Sequence, residues 1–472
     1  MNKKCQVFTP PNIVSEMLDK VGYVSNLYGK KVIDNACGDG NILKEVVRRY
    51  IEVCLLENIS LEGIKAGLET DIYGAEIDEG YHGECLENLD SLASMYGIYN
   101  ISWNILNGDI LKAGLDVKFD FIVGNPPYIT YRDLDEEIRL YVKNNFQSCA
   151  HGKFDYCYAF IEISLNSLSN QGKLVYLIPN SIFKNVFAQR LREMMLPYLS
   201  KIYDYTTKKL FDDALTSSAI IICDKENLSD NIEYVDIANE NSFEISKRNL
   251  NEKWKFVRQK EVTLSEKCRF GDYFNASISV ATLLNKAFIV DDFKLTEEYV
   301  HVKDFKIERS IVRETSSPRA LNYNKKELII FPYFYVDGTV NKYSVKFFET
   351  KFPEATKYLS QFKEELEQRK SDKSSKWFEY GRSQAISHLN QEKLLMSTIV
   401  TTKVKIYELN KDNIPYSGIY ITSKGILPLE KAKELLMSEV FYDYLRTIGI
   451  NANGSSIRIT VKDINNFEFS EK

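Results

Sequence analysis

The sequence predicts an α/β protein in which a mostly parallel sheet, covered by helices on both faces, is followed by a second unit of different construction. In the first half of the chain, short apolar runs alternate with stretches whose apolar residues recur at helical spacing. Strands that alternate with helices in this way favour a parallel sheet. From about residue 245 the pattern changes to irregular aromatic and basic segments, so we predict domains of residues 1–245 and 246–472.

Each element is predicted from a local pattern. Residues 42–56 and 138–146 carry the apolar spacing of amphipathic helices. In the second domain, residues 357–369 show helical spacing and run into a polar stretch at 370–376 that predicts an exposed loop. Short apolar runs predict strands at residues 32–33, 72–75, 101–106, 119–123 and 173–178.

The composition is that of an ordinary globular chain. The 472 residues are 44% hydrophobic and 27% charged, which disfavours a disordered or collagen-like chain. Apolar runs such as residues 219–223 are far shorter than the roughly 20 residues of a membrane helix, and the N-terminal residues lack the features of a secretory signal. The eight cysteines contain no C-x-x-C pair, so we expect free thiols, no metal and a cytoplasmic location.

The charge is divided unevenly between the two halves. The net charge of −5 alone argues against a nucleic-acid partner. However, residues 1–240 carry 23 Lys and Arg against 35 Asp and Glu, whereas residues 241–472 carry 38 against 31. Such asymmetry indicates an anionic partner for the basic half, with two ordinarily solvated surfaces as the alternative.

The first chemical signal is the segment at residues 34–40, Asp-Asn-Ala-Cys-Gly-Asp-Gly, which follows a predicted strand and opens a helix. Glycines at such a turn let a ligand approach the backbone, and the start of a helix supplies free amide donors. The spacing differs from G-x-G-x-x-G and from G-x-x-x-x-G-K-[ST], which disfavours a dinucleotide or ATP.

Two carboxylates follow at the ends of the next strands. Glu76 is placed to accept hydrogen bonds from ribose hydroxyls, and Asp109 from an adenine amino group. Either residue alone reads as an ordinary strand-end carboxylate. In series they predict a crevice at the carboxyl edge of the sheet that binds an adenosine-containing cofactor without a pyrophosphate cradle.

The strongest signal is Asn-Pro-Pro-Tyr at residues 125–128, directly after a buried strand. Two prolines remove two backbone donors and restrict two φ angles, which makes a rigid turn that presents the Asn side chain and a carbonyl. A purely structural turn closed by an aromatic residue is the alternative.

With these motifs, the sequence resembles the gamma class of amino-methyltransferases that make N6-methyladenine in DNA, of the TaqI type. The resemblance runs from Phe8 to about residue 225. It implies a Rossmann-like S-adenosylmethionine-dependent methyltransferase domain, followed by a mixed α+β DNA target-recognition domain. It also implies double-stranded DNA as substrate, with the target adenine flipped out of the helix. The family often has Glu where this chain has Asp34, and Pro where it has Asn35.

The resemblance also implies roles for individual residues. Residues 152–155 resemble a segment of the family's catalytic wall. The implied catalytic residues are Asn125, Pro126, Tyr128 and Phe211. The implied cofactor-binding residues are Phe8, Thr9, Pro10, Asp34, Ala36, Gly38, Glu76, Ile77, Asp109, Ile110, Asn125 and Pro127.

The motif suits the chemistry of an exocyclic amine, whose lone pair is delocalised into the ring. The side-chain oxygen of Asn125 and the carbonyl of Pro126 can accept both N–H bonds and offset the charge that develops during attack. Tyr128 and Phe211 can stack on the flipped base. The second domain resembles target-recognition domains only loosely. The predicted phosphate contacts are Lys153 in the first domain and, in the second domain, Lys370, Lys373, Lys376 and Arg382. A solvated charged loop is the alternative.

Three other functions share some of these features. The same tetrapeptide occurs in enzymes that methylate a glutamine amide in release factors, and methylation of structured RNA is a related alternative. A binding protein on an inactive methyltransferase fold is a third. Only seven residues precede Phe8, and we find no P-D…[DE]-x-K arrangement, so we expect any cognate restriction endonuclease to be a separate chain.

Overall fold

The computed structural model describes residues 9–114, 116–206, 217–256, 267–451 and 456–470. The chain divides into two compact units. The first unit comprises residues 1–262 together with 450–455, and the second comprises residues 263–449 and 456–472.

The first unit alternates helices and strands, as predicted. Its helices are α1 (Pro11–Val21), α2 (Asn41–Leu56), α3 (Leu61–Asp71), α4 (Glu79–Ser94), α5 (Ile110–Ala113), α6 (Glu136–Asn145), α7 (Cys157–Ser167) and α8 (Gln189–Met195). Its strands are β1 (Val32–Asp34), β2 (Ile72–Glu76), β3 (Asn104–Asn107), β4 (Phe119–Gly124), β5 (Leu168–Pro179), β6 (Leu199–Asp204), β7 (Ser218–Asp224), β8 (Asn231–Asp236) and β9 (Asn241–Ser246).

These strands form one sheet, and within the described ranges it has nine members in the order β3-β2-β1-β4-β5-β7-β6-β8-β9. Strands β3 to β5 are parallel, whereas β7 is antiparallel to both of its neighbours. The predicted mostly parallel sheet is therefore confirmed. The strand order reverses between β1 and β4, and ligands of open α/β sheets bind at such a switch point.

Both faces of this sheet are buried. Along β1 and β4, Ile33 and its partner Ile122 belong to one hydrophobic cluster, while Val32 and Val123 belong to the other. Successive side chains of a strand point to opposite faces, so a strand covered on both sides becomes an apolar run. This explains why the central strands were visible in the sequence.

The first unit extends beyond the predicted boundary at residues 245/246. Trp254 is 1% exposed, its ring stacks on Phe183 at 5.9 Å, and its backbone N–H donates to the Phe183 carbonyl at 2.9 Å. Phe256 also packs on Phe183 and on Tyr234. The aromatic residues after position 245 therefore complete the first core, which moves the limit of this unit to Val262.

The second unit combines short helices with several small sheets, which confirms the mixed α+β prediction. Its helices are α9 (Phe270–Tyr273), α10 (Asn285–Phe288), α11 (Pro318–Asn322), α12 (Val345–Lys351), α13 (Pro353–Ser360), α14 (Lys363–Gln368), α15 (Leu429–Met437), α16 (Glu439–Ile448) and α17 (Val461–Asn465). Its first strands are β10 (Lys267–Arg269), β11 (Phe274–Ile278), β12 (Ile289–Val290), β13 (Lys294–Leu295), β14 (Tyr299–Val302), β15 (Phe305–Glu308), β16 (Val312–Ser316), β17 (Glu327–Ile330), β18 (Tyr333–Val336) and β19 (Thr339–Lys342).

The remaining strands follow the helical segment α12 to α14. They are β20 (Lys393–Met396), β21 (Ile399–Val400), β22 (Ile406–Leu409), β23 (Ile414–Pro415), β24 (Ile419–Ser423), β25 (Ile450–Asn451, counted with the first unit), β26 (Ile457–Arg458) and β27 (Glu468–Ser470). Two four-stranded sheets, β11-β24-β20-β22 and β12-β17-β16-β23, anchor the unit. None of the helices in the described ranges combines the length and apolar character that crossing a bilayer requires.

One helix prediction in the second unit is wrong in detail. The helix expected at residues 357–369 is two helices, α13 and α14, separated at Gln361 and Phe362. The N–H groups of these two residues bond three positions back, to Tyr358 and Leu359, which tightens and ends α13. Phe362 then packs edge-on against Tyr358 at 5.9 Å. Apolar spacing continues through the break because both helices pack on one cluster.

Candidate active site

The carboxyl ends of β1, β2 and β4 meet at one edge of the sheet. Asp34, the last residue of β1, pairs in register with Gly74 of β2 and with Val123 of β4. The loops that follow these three strands therefore leave the sheet side by side. They contain the glycine loop, the Glu76 segment and the Asn-Pro-Pro-Tyr turn that the sequence singled out.

The glycine loop is laid against the end of β2. The Cys37 N–H donates to the carbonyl of Ala75 at 3.0 Å, and Gly40 begins helix α2 with a φ of +82°. A Cβ atom at Gly40 would lie 2.7 Å from Sγ of Cys85 on α4. Glycine is therefore required at position 40 by backbone conformation and by space.

Glu76 is held in place through both carboxylate oxygens. Oε2 accepts from the Gly38 N–H at 2.9 Å, and Oε1 accepts from the Asp78 N–H at 2.8 Å. The residue is only 8% exposed. Because each carboxylate oxygen can accept more than one hydrogen bond, Glu76 keeps acceptor capacity for hydroxyl groups of a ligand.

Asp34 is the most deeply buried acid of this edge, at 1% exposure. Burial raises the pKa of Asp34 to about 7, and the nearby charge of Glu76 acts in the same direction. A hydrogen bond from the Ala36 N–H to Oδ1, at 3.2 Å, opposes this rise. A cation near the two carboxylates would favour the ionised form of Asp34.

Asn35 connects the glycine loop to helix α7 and strand β5 by hydrogen bonds. Its Nδ2 donates to Oγ of Ser164 at 2.9 Å, and its Oδ1 accepts from the Tyr176 hydroxyl at 2.6 Å. The Ser164 and Tyr176 hydroxyls are 2.7 Å apart. Asn35 therefore replaces the family's proline with a buried polar network that joins the loop to α7 and β5. Sequence reasoning missed Ser164 and Tyr176, since nothing local marks residues so distant along the chain as partners.

The segment that carries Asp109 lies beside Glu76. The Gly108 N–H donates to the carbonyl of Glu76 at 2.9 Å, which joins the end of β3 to the end of β2. Asp109 is half-buried and caps helix α5, with Oδ1 accepting from the Leu111 N–H at 3.0 Å. Ile110 is buried next to it, at 4% exposure. An acid and an apolar residue are thus presented together at this edge.

The Asn-Pro-Pro-Tyr turn adjoins the glycine loop. A Cβ atom on Gly124 would lie 3.0 Å from Oδ1 of Asp34 and 3.1 Å from the ring of Tyr176. This close approach brings the backbone immediately before Asn125 against the Asp34 carboxylate. Pro126 is buried, and Asn125 is half-buried.

Tyr128 is half-buried at the end of the turn, with its hydroxyl group inside the protein. Burial raises its pKa well above the ordinary tyrosine value, and the nearby Ser218 hydroxyl opposes the rise. The two hydroxyls lie close together without a hydrogen bond of good geometry. The phenol therefore stays neutral at physiological pH.

The segment at residues 152–155 packs next to the turn. Thr130 and Asp155 form an antiparallel bridge, and the Tyr156 N–H donates to the Ile129 carbonyl at 2.9 Å. Phe154 is fully buried, whereas Lys153 is exposed. Burial raises the pKa of Asp155 to about 6, against the effect of the Tyr158 hydroxyl.

The structure thus gathers most of the predicted site residues at one edge of the sheet, while their roles stay predictions. Thr9 is buried nearby, its carbonyl accepting from Nδ2 of Asn41 at 2.5 Å, and Pro10 precedes α1. Phe8 and Phe211 lie outside the described residues. The described ranges contain no cluster of three or more His, Cys, Asp or Glu arranged to hold a metal. The described members of this edge are Asp34, Ala36, Gly38, Glu76, Ile77, Asp109, Ile110, Asn125, Pro126, Pro127 and Tyr128.

The predicted phosphate contacts of the second unit fall into two groups. Lys370 and Lys373 are exposed. Lys376 is half-buried and pairs with the buried Glu379 at 3.4 Å, and Arg382 pairs with Asp372 at 2.7 Å. These two ion pairs hold the segment together, so the cations in them are less available to a ligand than the two exposed lysines.

Fold and site together define a class. A doubly wound sheet in which β7 and β9 run antiparallel to the other described strands, a glycine loop after β1, an acid at the end of β2 and Asn-Pro-Pro-Tyr after β4 make up a Rossmann-like methyltransferase domain. Residues 65–211 match the family described as "Eco57I restriction-modification methylase".

Individual relatives are similar to parts of the chain. The chain is 30% identical to the type II methyltransferase M.BstVI of Geobacillus stearothermophilus, over 40% of this chain and 36% of that protein. It is 23% identical to the type II restriction enzyme and methyltransferase RM.Eco57I of Escherichia coli, over 84% of this chain and 49% of that protein. The chain therefore spans between about a third and a half of the length of these two relatives.

A solved structure shares the fold over almost the whole chain. The type IIL restriction-modification enzyme MmeI, determined in complex with DNA, superposes with a TM-score of 0.59 at 16% identity. The match covers 97% of this chain and 64% of that one. At this identity the similarity concerns the fold.

Proposed function

We propose that the protein transfers the methyl group of S-adenosylmethionine to N6 of an adenine in double-stranded DNA, at a specific sequence. Its biological setting would be a restriction-modification system, or it would act as an orphan methylase, in the cytoplasm. The observation that carries this proposal is the Asn-Pro-Pro-Tyr turn at the end of β4, placed directly against the Asp34 loop.

The residues at the sheet edge fit S-adenosylmethionine. Glu76 would accept hydrogen bonds from the ribose hydroxyls, and Asp109 from the adenine amino group. Ile77, which is 45% exposed, and Ile110 offer apolar surface beside these acids. Gly38 has a φ of +56°, a backbone conformation that glycine adopts at little cost. When bound, the cofactor supplies an electrophilic methyl group on a positively charged sulfur.

The turn would activate the target amine by accepting its protons. The side-chain oxygen of Asn125 and the carbonyl of Pro126 can each take one N–H of the exocyclic amine. Their partial negative charges offset the positive charge that develops on nitrogen during attack. Positioning of the amine against the methyl group supplies much of the remaining acceleration.

Tyr128 would receive the flipped base. Extrusion of a base from the duplex costs a few kcal/mol, and stacking on an aromatic ring returns about 1–3 kcal/mol per base. Tyr128 stays neutral and half-buried, which suits a stacking platform. Phe211 is the proposed opposing ring.

The second unit would bind the DNA. Residues 241–472 carry 38 Lys and Arg against 31 Asp and Glu, whereas the first half is acidic. An excess of cationic residues favours a polyanion as the molecule that is methylated, rather than a protein that carries a glutamine amide. We further propose that a cognate endonuclease, where one exists, is a separate chain.

The test is to incubate the full chain with methyl-labelled S-adenosylmethionine and unmethylated genomic DNA. We expect label in DNA as N6-methyladenine, at positions that share one sequence. Label in RNA or in protein, with none in DNA, would overturn the proposal.

A further inference from the structure

A two-stranded ribbon stands out on the second unit. Strands β18 and β19 pair only with each other among the described residues, and Val336 lies opposite Thr339. The two residues between them, Asp337 and Gly338, have φ values of 48° and 76°. Positive φ at both positions defines the tight turn that matches the natural twist of a hairpin. The ribbon therefore has a short and well-defined tip.

The root of the ribbon is anchored while its tip is exposed. The Tyr333 hydroxyl accepts from the Tyr380 N–H at 2.8 Å, and the Tyr335 hydroxyl donates to the Ile386 carbonyl at 3.0 Å. Tyr333 is 2% exposed, but Val336 is 50% exposed. An apolar side chain thus stands in solvent at the end of a rigid support.

Aromatic rings in contact continue from the ribbon to helix α12. Phe334 lies 4.8 Å from Tyr343, and Tyr343 stacks on Phe347 at 5.6 Å with an interplanar angle of 10°. Phe347 is 49% exposed, and Nζ of Lys351 lies 5.4 Å from its ring centre. This face offers an open aromatic ring next to a cation.

Charge is ordered along this face. The lysines Lys346 and Lys351 are exposed on α12, away from the turn, whereas Lys342 at the root of the ribbon pairs with the buried Glu379 at 2.8 Å. The acid Asp337 lies at the tip. A major-groove reader has the same order, with cations on the phosphates at its sides and hydrogen-bonding side chains at its leading end.

Another hairpin of the same unit differs at the corresponding points. The β14–β15 hairpin also has a two-residue loop, Lys303 and Asp304, but Val302 beside it is 8% exposed. Its second strand is covered by α13, since Glu308 accepts from the N–H groups of Glu354 and Ala355, each at 2.8 Å. This hairpin is a packing element and serves as a matched control.

We infer that the β18–β19 ribbon enters the major groove of duplex DNA and reads base edges through Val336 and Asp337, while Lys346 and Lys351 contact phosphates. The groove admits a two-stranded ribbon, a carboxylate accepts from the cytosine amino group, and an apolar side chain contacts the thymine methyl group. The inference rests on the proposed function, because it names the part of the molecule that selects the methylated sequence.

The central experiment compares the variants V336A and D337N in the full chain. Asn tolerates positive φ, so D337N keeps the turn. Specificity is measured as kcat/KM on the wild-type target divided by kcat/KM on a target changed at one base pair. We expect this ratio to fall about 10-fold in each variant, because one base contact is lost. The cofactor Kd should stay unchanged. The control D304N should leave both quantities at wild-type values.

A second arm tests the flanking contacts by duplex binding alone, without methylation. The variants K346Q and K351Q should each reduce the slope of log Kd against log salt by about 1. Lys294 is exposed on β13, which pairs with β14 of the control hairpin. The variant K294Q should leave the slope unchanged.

The outcomes separate the two proposals. If V336A and D337N retain the wild-type target profile and duplex affinity, the ribbon inference is overturned. If instead they abolish self-association in light scattering with DNA binding intact, the ribbon is an interface between copies, which also overturns it. If the wild type methylates no DNA but the lysine variants still lower the duplex salt slope, the proposed function fails and the ribbon inference is supported.

Discussion

At the scale of single residues, Asn125 should separate binding from turnover. In the proposed mechanism its side-chain oxygen would accept from the amine, whereas the cofactor would be held mainly by the loops after β1 and β2. We expect Asn125→Ala to lower kcat by at least about 100-fold, as loss of a transition-state hydrogen bond does elsewhere, with little change in the cofactor Kd from calorimetry. Asn145→Ala on the exposed end of α6 is the control. Retained turnover would remove Asn125 from its role.

Asp34 should make the protein sensitive to pH near neutrality. Its pKa is raised from 3.8 to about 7 in the folded state, so the folded protein holds this proton more tightly than the unfolded chain. The corresponding stability is fully present below about pH 4 and is lost as pH rises to about 7. Asp34→Asn should flatten this dependence in urea unfolding series, and the exposed Asp116→Asn should not.

Cofactor binding should move in the opposite direction with pH. A cationic ligand favours the ionised form of Asp34, so the affinity for S-adenosylmethionine should increase between about pH 6 and 8. In Asp34→Asn this increase should disappear. A variant whose affinity keeps the wild-type pH profile would show that another group is responsible.

At the residue scale, the sequence predicts the position of a side chain where a local motif marks it. Glu76 ends β2, Asp109 follows β3 after one residue and Asn125 follows β4 directly, so their places at the sheet edge could be predicted. The hydrogen bonds from Tyr176 and Ser164 to Asn35 could not, because they join residues 129 and 141 positions apart in the chain. Such partners are set by the packing of α7 and β5 rather than by a pattern.

At the scale of elements, the Asn35 network should stabilise the junction between the glycine loop and β5. Tyr176→Phe keeps the ring but leaves Oδ1 of Asn35 without its hydroxyl donor. We expect the free energy of unfolding to fall by about 1–3 kcal/mol, measured by urea denaturation. Tyr99→Phe, at a residue 61% exposed, should change it little. Equal stability of wild type and Tyr176→Phe would mean that the network contributes nothing.

In the second unit, Lys393 should stabilise the loop after β22. Its Nζ is buried and donates to the carbonyls of Asn410, Lys411 and Asn413 at 2.6, 3.3 and 3.0 Å. Lys393→Met removes three donated bonds, and we expect a loss of about 1–3 kcal/mol in urea unfolding. Lys411→Met, at an exposed side chain, is the control. An unchanged unfolding midpoint would contradict this account.

The same lysine predicts a pH effect of definite sign. Burial lowers the pKa of Lys393 to about 8, so between about pH 8 and 10.5 the unfolded chain binds more protons than the folded one. Wild-type stability should therefore rise with pH across this window relative to Lys393→Met. A constant difference between the two proteins would contradict it.

Element boundaries were predicted well where one face packs against a sheet. The helix expected at residues 42–56 is α2, and the one expected at 138–146 is close to α6. The break between α13 and α14 escaped prediction because both helices keep their apolar residues on one cluster. The spacing of apolar residues shows which side of a helix faces the core. It does not show a break between two helices whose apolar residues face the same cluster.

At the scale of the whole molecule, the charge division predicts how binding responds to salt. The net charge of −5 conceals an acidic first half and a basic second half. Kd for duplex DNA should rise steeply with salt, with a log–log slope of about 0.9 per phosphate contact, while the cofactor Kd should change little. Replacement of the exposed Lys370 and Lys373 by Gln should reduce the slope. An unchanged slope would assign the phosphate contacts elsewhere.

The change of sequence pattern near residue 245 indicates two units, but it does not give the residues at which they meet. Residues 246–256 have the aromatic composition of the second half, yet Trp254 and Phe256 pack on Phe183 of the first unit. Composition describes which residues are apolar. It does not say which of two adjacent cores they fill.

The assignment of residues 450–455 to the first unit has a consequence for synthesis and for engineering. Residues 263–449 are an insertion within the first unit's chain rather than an appendage to its end. At translation rates of about 5–20 residues per second, residue 455 follows residue 262 by roughly 10–40 s. The methyltransferase unit therefore receives its last residues only after most of its neighbour has been made. Because residues 456–472 also belong to the second unit, exchange of that unit between relatives would need three junctions in the gene, after residues 262, 449 and 455.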